Sequence, residues 1–347
     1  MSLATAILTG DVAELPSKRD EDWRWTDLRG LIRQIPPPSA AAKLMGPGPF
    51  AGLGGALLFV NGGAEFPDMD EGGNTANGPG GAMVLRFVSN AEGTSHAVNL
   101  PLVFSPGTRT VVLESYEGFG SDYLASIELE FDLEEGAEVE RIVLADDVAD
   151  AVTVSQANVI LAHGAKFNQT VLTSGAKRQR IETRVTHPGH GAKVRMDGAY
   201  LLSDKRHADI TTVVVHDGVD GTTEQLTKGV VRDQARGIFQ GRIVVSEGAD
   251  RTDARMGHHA LILSERAEVD AKPELLIYAD DVQCAHGNTI GALDEAAIFY
   301  ARQRGIPDAQ ARAMLTEAFV GEVIDRIGHE GARDAARAWA AKRLGGY

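Results

Sequence analysis

The chain contains a single cysteine, Cys284, among its 347 residues. One thiol cannot form a disulfide within the chain, which excludes the disulfide-built folds of small secreted proteins. Basic residues are scarce as well: 34 Lys and Arg face 49 Asp and Glu, and the net charge is −15. A chain this acidic repels phosphate backbones, so nucleic acid is not expected among its partners.

Long apolar runs are also missing, since stretches such as ALLFV at 56–60 are far too short to span a bilayer. The N-terminus lacks a basic start, and Gly10 and Asp11 cut its apolar stretch short, which is not typical of a signal peptide. We therefore expect a cytoplasmic protein without a membrane partner. Aromatic residues make up only 6%, whereas glycine is common at 39 residues, which favours many turns and short strands.

The sequence pattern divides the chain into three regions. Residues 1–48 are expected to be a helical N-terminal region, because residues 17–35 carry apolar side chains at helical spacing and prolines follow at 36–38. Residues 49–290 hold short runs of β type, such as IELEFDL and ITTVVVH, with no helical segments between them. Residues 291–347 are expected to form three helices, over 294–304, from 307 onward and over 332–343.

A weak repeat runs through the β-type region. Glycines precede successive strands at intervals of 27 to 30 residues, and the first three open the similar tetrads GAEV, GAKF and GAKV; they are Gly136, Gly164, Gly191, Gly221 and Gly248. A fixed period in this range indicates a stacked architecture. Each unit has room for two or more strands and almost no helix, so a β-solenoid is slightly favoured. The pattern alone leaves open a β-sandwich with evenly spaced turns.

Cys284 and His286 are the main candidate site residues. On a strand, this spacing places both side chains on one face. A thiolate and an imidazole are suitable ligands for iron, copper or zinc, but such sites usually need four ligands. The alternative is a packed thiol next to a histidine that ends a strand, which is the commoner situation for a free cysteine.

The other candidate groups are weaker. Asp280 and Asp281 would point to opposite faces of a strand and so cannot flank one substrate bond. His187 and His190 have the spacing of metal ligands, but they lie on a Pro-Gly loop without an accompanying cluster. The adjacent histidines at 258 and 259 should diverge on a strand. The chain also lacks a P-loop and a nucleophile elbow.

Several segments resemble one known family. The stretch KPELLIYADDVQCAHGNTIGALDEAAIFYARQRGI at 272–306, followed by ARAMLTEAF, is similar to the signature of the SUF iron–sulfur cluster assembly scaffolds. Further similarity lies in EDWRWTDL at 21–28, ITTVVVHD at 210–217 and RGIFQGRIVVSEGADRTDA at 236–254. The chain resembles the D-type subunits most, because B-type subunits are longer and carry extra cysteines.

This resemblance implies a right-handed parallel β-helix flanked by helical regions. It also implies a non-catalytic scaffold that pairs with a B-type paralogue and an ABC-type ATPase. Cys284 and His286 would contribute to a site for a transient iron–sulfur cluster at the interface of the two scaffolds, and no tightly bound cofactor is expected in the isolated chain. Helices over 293–327 would seat the ATPase, with Leu315, Phe319 and Ile324 as candidate contacts.

Two other functions remain open at this point. A β-helical carbohydrate-active enzyme would need several carboxylates converging in a groove, and the sequence shows no ladder of acidic residues. A homodimeric structural module would use Cys284 only for packing. An isolated D-type chain could form a homodimer through the same surface, so dimerisation alone would not separate these hypotheses.

Overall fold

The computed structural model describes residues 1–43, 46–65 and 82–344. Parts of all three predicted regions, at 44–45, 66–81 and 345–347, lie outside this description. The described chain is mostly β. Its strands are β1 Gly55–Val60, β2 Gly63–Glu65, β3 Ala82–Ser89, β4 Ser95–Phe104, β5 Arg109–Gly118, β6 Leu124–Leu133, β7 Glu138–Asp146, β8 Val152–Leu161, β9 Lys166–Thr173, β10 Arg178–His187, β11 Lys193–Leu202, β12 His207–His216, β13 Thr222–Val231, β14 Arg236–Val245, β15 Thr252–Ile262, β16 Glu268–Ile277 and β17 Val282–Gly291.

The strands form two facing sheets, which make up a parallel β-solenoid of about 8 turns. From β3 onward, odd-numbered strands belong to one sheet and even-numbered strands to the other, so each turn contributes one strand to each. Residues one turn apart face each other in register: Val152 pairs with Arg178, and Arg236 pairs with Glu268. The solenoid expected from the glycine repeat is therefore present, and the sandwich is not.

The repeated glycines mark the turns between the sheets. Four of the five, including Gly136 and Gly164, have positive φ angles between 65° and 80°, which only glycine adopts at little cost. At the remaining turn, which precedes β13, Asp220 takes this conformation instead, with a φ of 59°. There Gly221 is required by space, because a Cβ would lie 2.5 Å from the ring of His187.

Apolar residues from both sheets fill the inside of the solenoid. Phe104, Phe131 and Phe167, from three turns, lie with ring centroids 5.9 and 6.0 Å apart along this core. Stacked turns place like side chains above one another, and aromatic contacts of this kind add to the burial of area. The apolar positions that alternate along each strand thus become one continuous column.

A buried ion pair lies within this column. Arg141 on β7 donates to both carboxylate oxygens of Glu114 on β5, each at 2.7 Å, and neither side chain is more than 1% exposed. Arg141 also donates to Gln169 at 2.6 Å, and the hydroxyl of Tyr116 donates to Glu114. Since a buried charge must be paired and hydrogen-bonded, these contacts hold three successive turns in one arrangement.

Three helices at the C-terminus agree with the predicted segments. They are α3 Glu295–Gln303, α4 Asp308–Ile324 and α5 Glu330–Leu344, numbered after two short N-terminal helices, α1 Leu3–Thr9 and α2 Leu28–Leu31. The side chain of Asp294 caps α3 by accepting from the backbone of Ala296 at 2.8 Å. The helices α4 and α5 pack on the outer face of the odd-numbered sheet, against β7, β11 and β13.

Ionic contacts fasten α4 to this sheet. Arg326, just past the helix end, lies 3.0 Å from Asp197 on β11 and 2.8 Å from Glu224 on β13. Burial raises the pKa of the Asp197 carboxyl to about 7, although Arg326 and Arg195 act in the opposite direction. One turn earlier in α4, Glu322 pairs with Lys228 at 2.7 Å.

The N-terminal region differs from the prediction. Residues 17–35 do not form a continuous helix; they contain a 3₁₀ turn at Glu21–Trp23 and the single turn of α2. The apolar side chains still pack as a group with the even-numbered sheet, where Leu28 and Ile32 are buried. Residues 21–28, the N-terminal strap, cross several strands of this sheet without forming a continuous helix.

The strap is bound through polar groups as well as apolar ones. The hydroxyl of Thr26 donates to the buried carboxylate of Asp209 at 2.6 Å, and Asp209 also pairs with Arg180 at 2.8 Å. The guanidinium of Arg180 lies 4.4 Å from the ring of Trp23. Asp22 pairs with Arg242 on β14 at 2.8 Å. The EDWRWTDL segment therefore binds the outer face of the even-numbered sheet through both apolar and polar contacts.

Replacing Glu114 tests the internal ion pair. Glu114→Ala leaves the guanidinium of Arg141 buried without its counter-charge, which typically costs about 3–5 kcal/mol. We expect the free energy of unfolding, measured by urea denaturation, to fall by that amount.

The matched control is Glu138→Ala on β7. Its carboxylate pairs with Arg109 and Lys166 at the surface, where those partners are 81% and 41% exposed. Such surface pairs are worth about 0–1 kcal/mol. Equal losses from the two substitutions would show that the internal pair has no special role.

Candidate functional site

The last strand, β17, carries Cys284 and His286 on the same face, as predicted from their spacing. In register, Cys284 lies opposite Ala254 and His286 lies opposite Met256, and both of these residues of β15 are buried. The face that holds the two candidate ligands is therefore the inward face of the solenoid. It belongs to the final turn, so no later strand covers it among the described residues.

Cys284 is partly buried and packs against the apolar cluster formed by Phe239, Ile243 and Met256. Burial raises the pKa of its thiol, because the thiolate would lose solvation there. The thiol is thus mainly protonated at neutral pH. It can serve as a ligand only when a metal or a nearby cation displaces the proton.

His286 is exposed, and its ring makes no hydrogen bond or ion pair with any described residue. An unbonded imidazole on an open face can bind an approaching metal without giving up an internal contact. Among the described residues, no group of three or more His, Cys, Asp or Glu side chains could hold a metal ion. The two residues are therefore at most part of a site.

Apolar side chains surround this open end. Leu276 and Ile277 at the end of β16 are 40% and 41% exposed, Tyr278 is 64% exposed, and Ile290 on β17 is 44% exposed. Both strands also lie at the edges of their sheets, where no other described strand pairs with one side of the backbone. An exposed edge with apolar side chains is typical of a surface that another chain covers.

His258, one of the two adjacent histidines predicted to diverge, anchors the last strand. The predicted divergence is present: His259 faces outward and bonds Thr289 at 2.7 Å, while His258 is buried. The Nδ1 atom of His258 lies 2.8 Å from Asn288 Oδ1, and its Nε2 atom lies 2.9 Å from the hydroxyl of Tyr200. Burial lowers the pKa of His258 to about 4, so the ring is neutral at pH 7.

The other sequence candidates do not form sites. His187 is buried and bonds His216 of the next turn, whereas His190 is exposed and lies against the ring of His163. The two histidines of the HPGH loop therefore do not converge. Asp280 and Asp281 are exposed, and the backbone carbonyl of Asp281 accepts from Arg251. Both carboxylates thus belong to a solvated turn before β17.

The three predicted contact residues of α4 have different surroundings. Ile324 is 2% exposed and packs in the cluster between helices and sheet, so it has no surface to offer a partner in this conformation. Phe319 packs beside that cluster beneath Lys228, whose Nζ lies 4.5 Å from the ring centroid. Leu315 packs with α3 residues around Ile298.

Other apolar side chains of these helices are more open to a partner. Phe299 and Tyr300 on α3 are 63% and 62% exposed, and Met314 on α4 is 50% exposed. None of these three side chains was among the predicted contacts. No helix among the described residues is long and apolar enough to cross a membrane.

Alkylation of Cys284 tests its environment without interference from other thiols. Because the pKa of the thiol is raised, the thiolate fraction should grow only at higher pH. We expect the rate of iodoacetamide modification to reach half its maximum at a pH above that of a free cysteine in a peptide. Cys284→Ser should abolish labelling, and a midpoint at or below the peptide value would contradict the packed thiol.

Comparison with known proteins yields a family match. The family model "SUF system FeS cluster assembly, SufBD core domain" matches residues 87–319, from β3 to α4. The chain is 35% identical over 191 residues to the iron–sulfur cluster assembly protein SufD of Escherichia coli, covering 54% of this chain and 45% of that protein. It is 29% identical over 237 residues to a SufBD family protein of Synechocystis, covering 66% and 52%.

A third relative aligns over more of its length. The chain is 26% identical over 359 aligned positions to a SufBD family protein of Mycobacterium bovis, covering 91% of this chain and 86% of that protein. By contrast, the chain spans about half the length of the Escherichia coli and Synechocystis relatives. The family match includes most of the solenoid and the helix that follows the candidate site. The chain therefore belongs to the SufBD family of the SUF iron–sulfur cluster assembly system.

Proposed function

We propose that this chain is a non-catalytic, D-type scaffold subunit for iron–sulfur cluster assembly in the cytoplasm. One observation carries the proposal: Cys284 and His286 lie side by side on the inward face of an uncovered last strand. Relatives named as SufD and SufBD assembly proteins support the same role. In this proposal the cluster is cargo that passes through the site, and the chain does not retain it.

The site would be completed by a second subunit. Clusters are usually held by four ligands, and the described part of this chain offers at most two at this end. The natural partner is a B-type paralogue with further thiolates and carboxylates. His286 is the stronger candidate ligand, because its side chain is exposed. In addition, an imidazole nitrogen can bind iron without the loss of a proton. Cys284 is partly buried with a raised pKa and would follow only once iron is present.

The open end also supplies the means of association. The edge strands β16 and β17 can pair with strands of another solenoid, which continues the backbone ladder across the interface. The exposed side chains of Leu276, Tyr278 and Ile290 would be buried at the same time. A second copy of this chain could use the same surface, so a homodimer of the isolated chain is compatible with the proposal.

Such a shared site suits a cargo that must be released. Few thiolates hold the cluster, and imidazole in place of thiolate reduces the negative charge around it. When the two subunits move apart, the ligand set is divided and the cluster loses half of its contacts. An ABC-type ATPase bound to the C-terminal helices would supply this motion. Phe299, Tyr300 and Met314 are the apolar side chains of α3 and α4 that are free to contact it.

No observation favours the alternative of a carbohydrate-active enzyme. In one cleft on the outer face, Glu224 and Asp253 lie together, but Glu224 pairs with Arg326 and Asp253 with Arg255. Within the described part of the chain these carboxylates form ion pairs and do not make a free acid and base pair. The requirement of converging catalytic carboxylates is not met there.

Replacing His286 tests the ligand. In a complex co-expressed with a B-type scaffold and an ABC ATPase, we expect His286→Ala to leave assembly unchanged. Loss of a ligand should lower the iron and sulfide recovered per complex by about tenfold or more. Size-exclusion chromatography would measure assembly, and chemical analysis would measure iron and sulfide.

His259→Ala is the matched control for this experiment. It removes an imidazole from the neighbouring strand, where the ring faces outward and bonds Thr289. Its cluster content should equal that of the wild type. A wild-type chain that stays monomeric beside both partners would refute the proposal, and normal cluster content in His286→Ala would remove the ligand role.

Replacing Phe299 tests the docking surface for the ATPase. Phe299→Asp places a charge on a side chain that is 63% exposed, and it should weaken binding of the ATPase by about tenfold or more if the ring is buried in the complex. Calorimetry with the purified ATPase would measure this. Phe119→Asp is the matched control, since that ring is 62% exposed and lies far along the chain, after β5. Equal losses would contradict a specific surface on α3.

A further inference from the structure

We propose that Asn288 is a second functional group of the interface site, which donates a hydrogen bond from its side-chain amide to a sulfide or thiolate sulfur held beside His286. His258 acts as the positioning residue that orients this amide. The inference rests on the proposed function, because it needs a sulfur-containing cargo at the open end. It deepens that function by assigning a group that is not a metal ligand.

The location of Asn288 is set by the strand. Cys284, His286 and Asn288 occupy alternate positions on β17, so all three belong to the inward face. A strand rises about 3.3 Å per residue, which places Asn288 about 7 Å from His286 along the strand. Asn288 is exposed, as His286 is. A group bound to His286 is thus within reach of the amide of Asn288.

The hydrogen bonds of His258 determine which end of the amide is free. The hydroxyl of Tyr200 is fully buried, and His258 Nε2 at 2.9 Å is its only acceptor among the described residues. A buried hydroxyl without an acceptor is costly, so Tyr200 donates and Nε2 carries no proton. The proton of the neutral ring then lies on Nδ1. It is donated to Asn288 Oδ1 at 2.8 Å.

This arrangement leaves the NH₂ group of Asn288 without a partner among the described residues. It also prevents the amide from turning over, because an NH₂ group facing Nδ1–H would bring two donors together. The oxygen is held by His258 and the two N–H bonds are directed away from it. An exposed face with two free donors beside a candidate ligand is suited to an anionic acceptor.

The histidine that orients Asn288 cannot easily move. Its ring is stacked on Phe239 at 4.9 Å with an interplanar angle of 4°, and it lies 5.9 Å from the ring of Tyr200. Tyr200 is itself confined, since a Cβ on Gly229 or Gly237 would lie within 2.3 Å of its ring. A rigid support of this kind keeps a hydrogen-bonding group in place before the cargo arrives.

Sulfur is the acceptor that fits this position. Sulfide and thiolate carry negative charge at an iron centre, and hydrogen bonds to them help set its reduction potential. A donor stabilises the reduced state, in which the sulfur is more negative. An amide provides this without adding a ligand or a charge. It can therefore hold a cluster more firmly in the closed complex and let it go when the subunits separate.

The test uses the full complex with the B-type scaffold and the ATPase, loaded with a cluster. Asn288→Ala removes the donor and the contact with His258. Asn288→Asp keeps an oxygen for His258 but replaces the donor with a negative charge. We expect both variants to lose the cluster to a chelator about tenfold faster. Their reduction potential should fall, and the fall should be larger for Asn288→Asp.

Thr289→Val is the matched control, because it removes the equivalent bond to His259 one residue along, on the outward face of the same two strands. It should match the wild type in cluster loss and potential. Thermal unfolding of all variants would show whether β17 is still paired with β15.

Four outcomes would overturn the inference. Normal cluster loss and potential in Asn288→Asp would show that the side chain only anchors the strand. Equal changes in Thr289→Val would show a general effect of loosening β17. If His286→Ala lowers cluster content while Asn288→Ala leaves cluster loss and reduction potential normal, the proposed function stands and this inference fails. A wild-type complex that binds no cluster would refute both.

Discussion

Pairing of each strand with the strand one turn before and one turn after is the constraint on which this structure depends. It satisfies the backbone of every internal strand, and it stacks like positions into continuous columns. It also means that no further turn covers the last one within the part of the chain that the structure describes. The inward face of β17, with Cys284 and His286, is open for the same reason that Phe131 and Phe167 are buried. The candidate site and the core therefore occupy equivalent inward-facing positions of the solenoid. They differ only in whether another turn follows.

The two outer faces of the solenoid are covered in different ways. Helices α4 and α5 lie on the odd-numbered sheet, and the N-terminal strap lies on the even-numbered sheet. Both covers combine apolar packing with a polar contact to a buried carboxylate: Arg326 pairs with Asp197, and Thr26 donates to Asp209. Such contacts to buried charges have a fixed geometry. They set where each cover attaches along the stack of turns.

Much of this architecture was predictable from the sequence, and the reasons are local. Turns need positive φ, so glycines such as Gly136 and Gly164 recorded the repeat. Alternation on a strand placed Cys284 and His286 together. The strap could not be predicted, because apolar spacing over 17–35 fits a helix as well as a segment laid across strands. The bond between His258 and Asn288 joins residues 30 positions apart, and only the register of β15 and β17 brings them together.

The place where the helices attach has a mechanical consequence. Helices α4 and α5 rest mainly on β7, β11 and β13, whereas the candidate site lies on β17, two strands further along the same sheet. Stacked sheets with a packed interior resist bending, so a force applied to α4 would turn the solenoid as one body. The open end would then swing further than the contacts of α4 and α5 with the sheet move. In the proposed complex the solenoid would act as a lever arm, so that small displacements at these contacts would become larger separations between the subunits.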